Sequence, residues 1–374
     1  MAGIYIHIPF CRQACHYCDF HFSTHTALKS HMVKIICKEL ELQKEYFEPD
    51  TVIHTLYFGG GTPSLLEVAE LSQILDVAHR HYKLELRELT LEANPDDLDT
   101  GKLLALRQLG VNRLSIGIQS FDDRVLKFYN RAHNAAESLA SIDKAKQAGF
   151  SKLSIDLMYG FPQSDHELWK KDLTTAIALD PGHISSYALT IEPDTALGRW
   201  TAKGKFNPAS EDFIAEQFEM MQDQLGQAGY LQYEISNFGK PGAFALHNTN
   251  YWKGIPYLGI GPSAHSFNGR SRQHNISNNI KYIKALEQGS LLFECEDLEP
   301  VDALNEYLLT SLRTMWGADL RHIYNLYGKD LLIDKGAVID DLREQGWLEV
   351  KEHALVLTTS GKLLADGLAL KLFY

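Results

Sequence analysis

Three junctions in the chain are built alike: "QLGVNRLSI", "QAGFSKLSI" and "QAGYLQYEI". In each, a helical pattern stops at a glycine (Gly110, Gly149 or Gly229) and an apolar strand pattern begins at once. Glycine enters the left-handed region without the penalty a Cβ imposes, so it ends a helix and redirects the chain. The three glycines are 39 and 80 residues apart, close to one and two strand-plus-helix units. Further short apolar runs repeat the alternation: "GIYIHIPF", "TVIHTLYF", "ELTLEA", "NRLSIGIQ", "KLSIDLMYG", "HISSYALTIE" and "LQYEISNF". Between two of these runs, Val68, Leu71, Leu75 and Ala78 fall on one helical face. Repeated strand-then-helix order implies parallel strands with helical crossovers outside them, an α/β fold that is either an open doubly wound sheet or a barrel.

Polar residues at the strand ends separate the two. Glu92, Gln119, Asp156, and Thr190 with Glu192 stand at or just past successive strands. An open sheet forms its site at one crevice, whereas in a barrel every strand can contribute to a common site. A barrel, whole or partial, is therefore the expectation. Asp97 in "NPDDL" reads as an ordinary loop polar or helix cap. Asp156 lies inside an apolar strand and should be paired or bound.

The pattern changes after about residue 235. "NFGKPGAFALHNTNYWKGIPYLGIGPSAHSFNGRSRQHNISN" is rich in Gly, Pro, Asn and aromatics and has no clear period, so it reads as an extended, partly ordered loop region. From Val301 helical patterns return, followed by the short strand-like pieces "WLEV" and "ALVLT" and a last helix. The expected organisation is a barrel over residues 1–235, a connecting region over 236–295, and a smaller, mainly helical, winged-helix-like domain over 296–374. That last segment lacks a basic stripe, so a structural or lid role is expected of it rather than DNA binding. With 374 residues, 45 % of them hydrophobic, the chain can bury a core of this extent. The net charge of −12 argues against a dedicated nucleic-acid binder. No apolar run approaches the roughly 20 residues of a membrane span. The opening "MAGIYIHIPF" has no basic stretch and contains a Pro, so it does not read as a signal peptide.

Of five cysteines, Cys11, Cys15 and Cys18 form C-x3-C-x2-C directly after the first strand, while Cys37 and Cys295 stand alone. An odd count without an export signal suggests free thiols in a reducing cytoplasm. Three readings compete for the trio. A disulfide with a spare thiol fits that compartment poorly. Zinc would need His16 or His21 as a fourth ligand, although structural zinc usually takes paired hooks from two segments. An iron–sulfur cluster fits best, because thiolates on one loop can wrap a cubane and leave one iron open.

C-x3-C-x-aromatic-C after a first strand resembles the radical S-adenosylmethionine (SAM) superfamily, whose fold is a partial (β/α)6 barrel. The resemblance implies a 4Fe–4S cluster whose open iron is chelated by SAM, with cleavage to a 5′-deoxyadenosyl radical as the family's chemistry. "YFGGGTPS" (residues 57–64) agrees with it: its glycines bring backbone close to a ligand, and it lacks the marks of a P-loop or dinucleotide fold. "IYIHIPFC", "GGGTPS", "LEANPD", "RLSIGIQSF", "NR" and "IDLMYGFP" are similar, in this order, to the oxygen-independent coproporphyrinogen III oxidase group over about residues 4 to 162. The match implies that Tyr5, Tyr17, Gly60, Gly61, Thr62, Glu92, Gln119, Arg131 and Asp156 form the SAM pocket. Carboxylates there would accept from amino and hydroxyl donors, and Arg131 could pair a carboxylate through two nitrogens.

Two departures set the chain apart from the oxidases. Phe20 stands where they carry a fourth cysteine, and the chain begins almost on its first strand, where they carry a preceding segment. Both agree with the sister subgroup of heme chaperones, often called HemW. That subgroup's H-N-x-x-Y-W signature is complete as His247, Asn248, Tyr251 and Trp252 in "HNTNYW". Imidazole is a good axial ligand for heme iron, Tyr and Trp faces suit a macrocycle, and Asn248 could orient the His ring. Read without the family, the hexapeptide is a turn into a packed aromatic pair, and His265 in "GPSAHSF" and the other histidines remain rival ligands. The resemblance implies one heme per chain, passed to an apo-hemoprotein acceptor, with respiratory enzymes among the candidates. It implies a cytoplasmic monomer or homodimer without nucleic acid, and leaves room for peripheral membrane association. The alternative is a genuine oxidase that decarboxylates porphyrinogen propionates; a vestigial cluster on a structural protein is a third reading. No catalytic residue is assigned.

Overall fold

Six parallel strands lie side by side in chain order in a computed structural model that describes residues 1–374: β1 (Ala2–Ile8), β2 (Val52–Gly60), β3 (Lys83–Ala93), β4 (Arg113–Gln119), β5 (Lys152–Tyr159) and β6 (Gly182–Ala188). The order never reverses within the six, which rules out a doubly wound sheet and matches a (β/α)6 winding. The winding is open, because β1 and β6 each pair outward with other strands instead of with each other. This is a partial barrel.

Alternation along the strands explains its two faces. Ile4, Ile6 and Ile8 of β1 are buried in the same core as Met32, Val33, Ile36 and Leu40 of the helix Lys29–Leu42. The intervening Tyr5 and His7 point to the other face. The helix Val68–His81 buries Leu71, Leu75 and Ala78 as its spacing requires. Gly110, Gly149 and Gly229 follow helices at φ of 99°, 87° and 81°, the left-handed turn into the next strand.

Two parts differ from the sequence reading. "LQYEISNF" is a hairpin, β7 (Leu231–Glu234) with β8 (Asn237–Gly239), and β8 runs antiparallel to β6. The stretch expected to be a loop region is folded into the same sheet: β9 (Tyr257–Ile260) pairs parallel to β1, and β10 (His265–Phe267), β11 (Ser271–Asn275) and β12 (Phe293–Asp297) follow antiparallel. Strands of three to five residues are too short to display a period, and β9 is buried on both faces at Leu258 and Gly259.

Residues 304–372 bury a separate core around Leu308, Leu342 and Leu355. Its order is helix Pro300–Leu312, β13 (Ala318–Asp319), helix Leu320–Tyr327, helix Gly336–Glu344, then the hairpin β14 (Leu348–Lys351) and β15 (Ala354–Leu357), which is a winged-helix-like arrangement. Its joint with the barrel side combines packing, with Ile235 against both cores, and polar contacts: Met315 N donates to Tyr233 O (3.0 Å), and Arg313 reaches the buried Glu234 (3.2 Å). No helix is long and apolar enough to cross a membrane.

Candidate functional site

The loop carrying Cys11, Cys15 and Cys18 leaves β1 and is laced to the glycine loop that leaves β2. Gly61 N donates to Ile8 O (2.9 Å) and Thr62 N to Phe10 O (2.7 Å). A Cβ on Gly61 would stand 2.6 Å from the Phe10 carbonyl oxygen, and one on Gly60, at φ 108°, would strike the His7 ring at 2.6 Å. Only glycine permits this approach. The Thr62 hydroxyl donates to Cys11 Sγ (3.4 Å).

A second segment, residues 128–131, fastens the other side of the cysteine loop. Asn130 Nδ2 donates to Ala14 O (2.8 Å), His16 N to Tyr129 O (3.1 Å), and Gln13 Nε2 to Asn130 Oδ1 (2.7 Å). Arg131 extends inward from it. Nη1 lies 3.3 Å from Cys15 Sγ and 3.5 Å from the Tyr17 hydroxyl, while Nη2 donates to Asn94 Oδ1 (2.7 Å) and Gly117 O (2.8 Å). Its Nε is buried with no partner.

Burial pushes the Cys11 thiol up to about 11 and the Cys18 thiol up to about 12, so thiolates here need a cation to hold them. No three His, Cys, Asp or Glu side chains converge as a single metal ion requires. His16 and His21 each spend one ring nitrogen on the protein, at Phe128 O (2.7 Å) and Asn279 Oδ1 (2.7 Å), and neither converges with the cysteines as a zinc set requires. Three sulfurs around one loop, a guanidinium beside one of them, and an orphaned buried Nε fit a larger anionic cluster with a polar ligand next to it.

The strand ends supply that ligand's floor. Glu92 accepts from Tyr57 Oη (2.7 Å) and Gly60 N (3.1 Å), and burial, followed by the neighbouring Asp156, raises its carboxyl to about 7. Asp156 accepts from Ser115 Oγ (3.3 Å) and Ser185, and burial holds it at about 6. It thus has the partners a buried acid needs, although both are hydroxyls. Tyr5 stacks on Tyr57 with ring centroids 6.0 Å apart. Gln119 closes β4 at φ 68°, a left-handed conformation rare outside glycine, and its amide lies against Gly117. Thr190 and Glu192 lie beyond the end of β6 and do not join this group, and Thr190 is exposed.

"HNTNYW" opens as the helix Leu246–Trp252, directly behind the pocket. The His247 ring stacks on Tyr57 at 5.0 Å, so Tyr57 is shared by Tyr5 and His247. Both imidazole nitrogens are engaged: Nδ1 with Thr55 Oγ1 (2.8 Å) and Nε2 with Tyr251 Oη (2.8 Å). The expectation that Asn248 orients this ring is not met, because Thr55 and Tyr251 do so. Buried Glu88 accepts from the first helix amides, Leu246 N (2.9 Å) and His247 N (2.8 Å), and pairs with buried Arg113 (2.9 Å), which also donates to Ala243 O and Phe244 O. A carboxylate at a helix start is favourably placed.

A cavity of about 1020 Å³ runs from Tyr5, Gly60 and Glu92 past Tyr251 and Trp252 to Tyr307, Trp316 and His322 of the winged-helix-like part. Phe20, two residues after Cys18, is 70 % exposed and lines it too.

Several residues here have no signal in the linear sequence. Thr55 and Glu88 read as ordinary strand residues, and Asn94 and Arg113, although inside the quoted motifs "LEANPD" and "RLSIGIQSF", carry no mark of these contacts. Asp97, read as a loop polar, is buried; it accepts from Ser64 Oγ (2.7 Å) and pairs with Arg12 (2.6 Å), joining the glycine loop to the cysteine loop.

Residues 5–171 match the model of the Radical SAM superfamily, and residues 298–364 that of the HemN C-terminal domain. The chain is 34 % identical to "Heme chaperone HemW" of Bacillus subtilis, over 98 % of this chain and 97 % of that protein. It is also 34 % identical to the Escherichia coli protein of the same name (99 % and 97 % covered). The mouse mitochondrial "Radical S-adenosyl methionine domain-containing protein 1" is 31 % identical (99 % and 87 % covered). Among solved structures, coproporphyrinogen III oxidase (HemN) from Escherichia coli superposes with a TM-score of 0.85 at 24 % identity, covering 100 % of this chain and 90 % of that one, a likeness of fold.

Proposed function

The chain belongs to the radical SAM superfamily and, within it, to the family of the heme chaperones called HemW, and from that membership we propose that it binds heme and passes it to an apo-hemoprotein. Heme is apolar and carries anionic propionates, so direct transfer avoids free heme in water. The observation that carries the reading is the continuity of the cavity. At about 1020 Å³ it lies at the top of the range for sites that enclose a small molecule, and Tyr251 and Trp252 offer ring faces to a macrocycle next to the strand-end pocket.

In this reading Cys11, Cys15 and Cys18 hold a 4Fe–4S cluster, which supplies an electron and an open iron position to SAM. Tyr5, Tyr17, Gly60, Gly61, Thr62, Glu92, Gln119, Arg131 and Asp156 surround the SAM. Glu92 and Asp156 accept from its donors, and Arg131 positions Cys15 and Tyr17. His247 is the support of the heme wall: held by Thr55, it fixes Tyr251 through Nε2. Asn248 flanks that wall. The organisation proposed is a barrel over 1–235, a motif-bearing region over 236–295, and a lid over 296–374. We place the protein in the cytoplasm, as a monomer or homodimer, with respiratory enzymes among its acceptors.

Three measurements test this. Oxygen-protected protein should contain about four irons per chain, with an electron paramagnetic resonance spectrum that SAM perturbs, and Cys15→Ser should lose both. Zinc in place of iron overturns the cluster. Hemin should develop a Soret band on titration. Accumulation of protoporphyrinogen from coproporphyrinogen, with turnover, overturns the chaperone reading in favour of an oxidase.

A further inference from the structure

Five histidines lie in or against the cavity and its motif wall: His7, His21, His247, His265 and His322. Three are committed elsewhere, in whole or in part. His7 is bonded at both nitrogens, to His21 O (2.9 Å) and Tyr5 Oη (3.3 Å), and so is His247; His21 is bonded through Nε2 to Asn279 Oδ1 (2.7 Å) and keeps only Nδ1 open. An imidazole can ligate iron only through a nitrogen whose lone pair is free.

We propose that His265, not His247, gives the axial nitrogen to heme iron in this cavity, an assignment that rests on the heme reading above. The His265 ring is exposed to the cavity, and neither nitrogen has a hydrogen-bond partner within the protein. Its backbone is held on the sheet. His265 pairs with His274 across β10 and β11, and the two rings stack with centroids 4.4 Å apart. Two glycines of "YLGIGPSAH" allow that placement: a Cβ on Gly259 would collide with the His265 carbonyl, and one on Gly261 would stand 2.5 Å from His7 O. A ligand on a fixed strand is pre-positioned. Desolvation, with His274 and Arg272 nearby, lowers the His265 pKa and so favours the neutral ring that ligation needs.

Other cavity residues fit the rest of a heme. Tyr251, Trp252 and Phe267 provide ring surface, and Lys253, its ammonium 4.3 Å from the Trp316 ring centroid, has no carboxylate partner and can receive a propionate. His21 competes through Nδ1 alone, and His322 is the competing imidazole with both nitrogens free. It lies on the short helix Leu320–Tyr327, enclosed by Tyr307 at 4.6 Å and Tyr327 at 6.2 Å.

The test is hemin titration of the full chain and of His265→Ala, His265→Met, His247→Ala and His322→Ala, following the Soret band and the ferric electron paramagnetic resonance spectrum. Circular dichroism confirms that each variant is folded. The expected result is that His265→Ala binds about tenfold more weakly or worse and loses the imidazole-type spectrum. Added imidazole should restore that spectrum, and His265→Met should shift the band. His247→Ala and His322→Ala should keep the imidazole signature. Wild-type affinity and spectrum in His265→Ala overturn the assignment while leaving heme binding intact. No Soret band in the wild type overturns the heme reading itself, and the assignment with it.

Discussion

Arg131 Nη1 stands 3.3 Å from Cys15 Sγ, while Nη2 of the same guanidinium is bonded to Asn94 and Gly117 O. One side chain thus ties the cysteine loop to the ends of β3 and β4. Arg131→Met removes the charge and leaves two partly buried acceptors without this donor. We expect apo-protein stability in urea to fall by about 2–3 kcal/mol, and iron uptake on anaerobic reconstitution to fall with it. Arg131→Lys keeps the charge but cannot span all partners, so it should recover only part of both. Wild-type stability and iron content in Arg131→Met would show that the loop is held without it.

Glu39 offers a pH signature remote from the cysteines. It is fully buried, accepts from Tyr282 Oη (2.5 Å), Asn275 Nδ2 (2.6 Å) and Gly261 N (2.7 Å), and desolvation raises its carboxyl to about 7. Tyr82 and Tyr282 are titratable neighbours, and both stay protonated in this range. The folded state therefore keeps the proton that the unfolded chain releases near its ordinary value. Below both values the group is neutral in either state and costs nothing. Between about 4.5 and about 7, stability falls as pH rises, by about 3 kcal/mol in total. Glu92 and Asp156, also raised, add slopes of the same sign, so urea midpoints of the apo-protein across that window should fall by more than Glu39 alone requires, and Glu39→Gln should make the slope shallower by the Glu39 share. An unchanged slope in Glu39→Gln would assign the dependence to other groups.

What could be read from the chain follows the range of the interactions involved. The strands of the barrel and the glycines at 110, 149 and 229 depend on local pattern and backbone conformation, and they lie where the pattern puts them. The cysteine and glycine loops are likewise contiguous. The roles of Thr55 toward His247 and Glu88 toward the same helix span 192 and 159 residues, and nothing near either residue marks them. His247 illustrates the cost. A histidine in a motif reads as a ligand, yet the fold closes both of its nitrogens, whereas His265, in a glycine-rich run without period, is left open. The sheet extension β9–β12 was illegible for a related reason: its strands are short, and what defines them is the pairing of β9 with β1 and of each later strand with the one before.

The joint between the two cores makes the last prediction. Buried Glu234 accepts from Ser236 N (3.0 Å) and Asn237 Nδ2 (2.7 Å), but its only cationic ion-pair partner is Arg313, at 3.2 Å. Arg313 also reaches Asp366 (2.5 Å) and lies over the Trp252 ring at 5.4 Å, so one residue joins β7, the last helix and the cavity wall. Removing one partner of a buried pair strands the other charge. Arg313→Met should therefore destabilise the full chain by about 3–5 kcal/mol, whereas Glu234→Gln combined with Arg313→Met should cost less than the sum of the single changes. Urea unfolding of the four proteins in a double-mutant cycle measures the coupling. Because Trp252 loses its cation at the same time, Arg313→Met should also weaken hemin binding, while Asp366→Asn, which removes only an exposed partner, should leave stability within about 1 kcal/mol. Additive single changes would mean that the two cores are held by the backbone contact of Met315 with Tyr233 and by packing, with the ion pair a bystander.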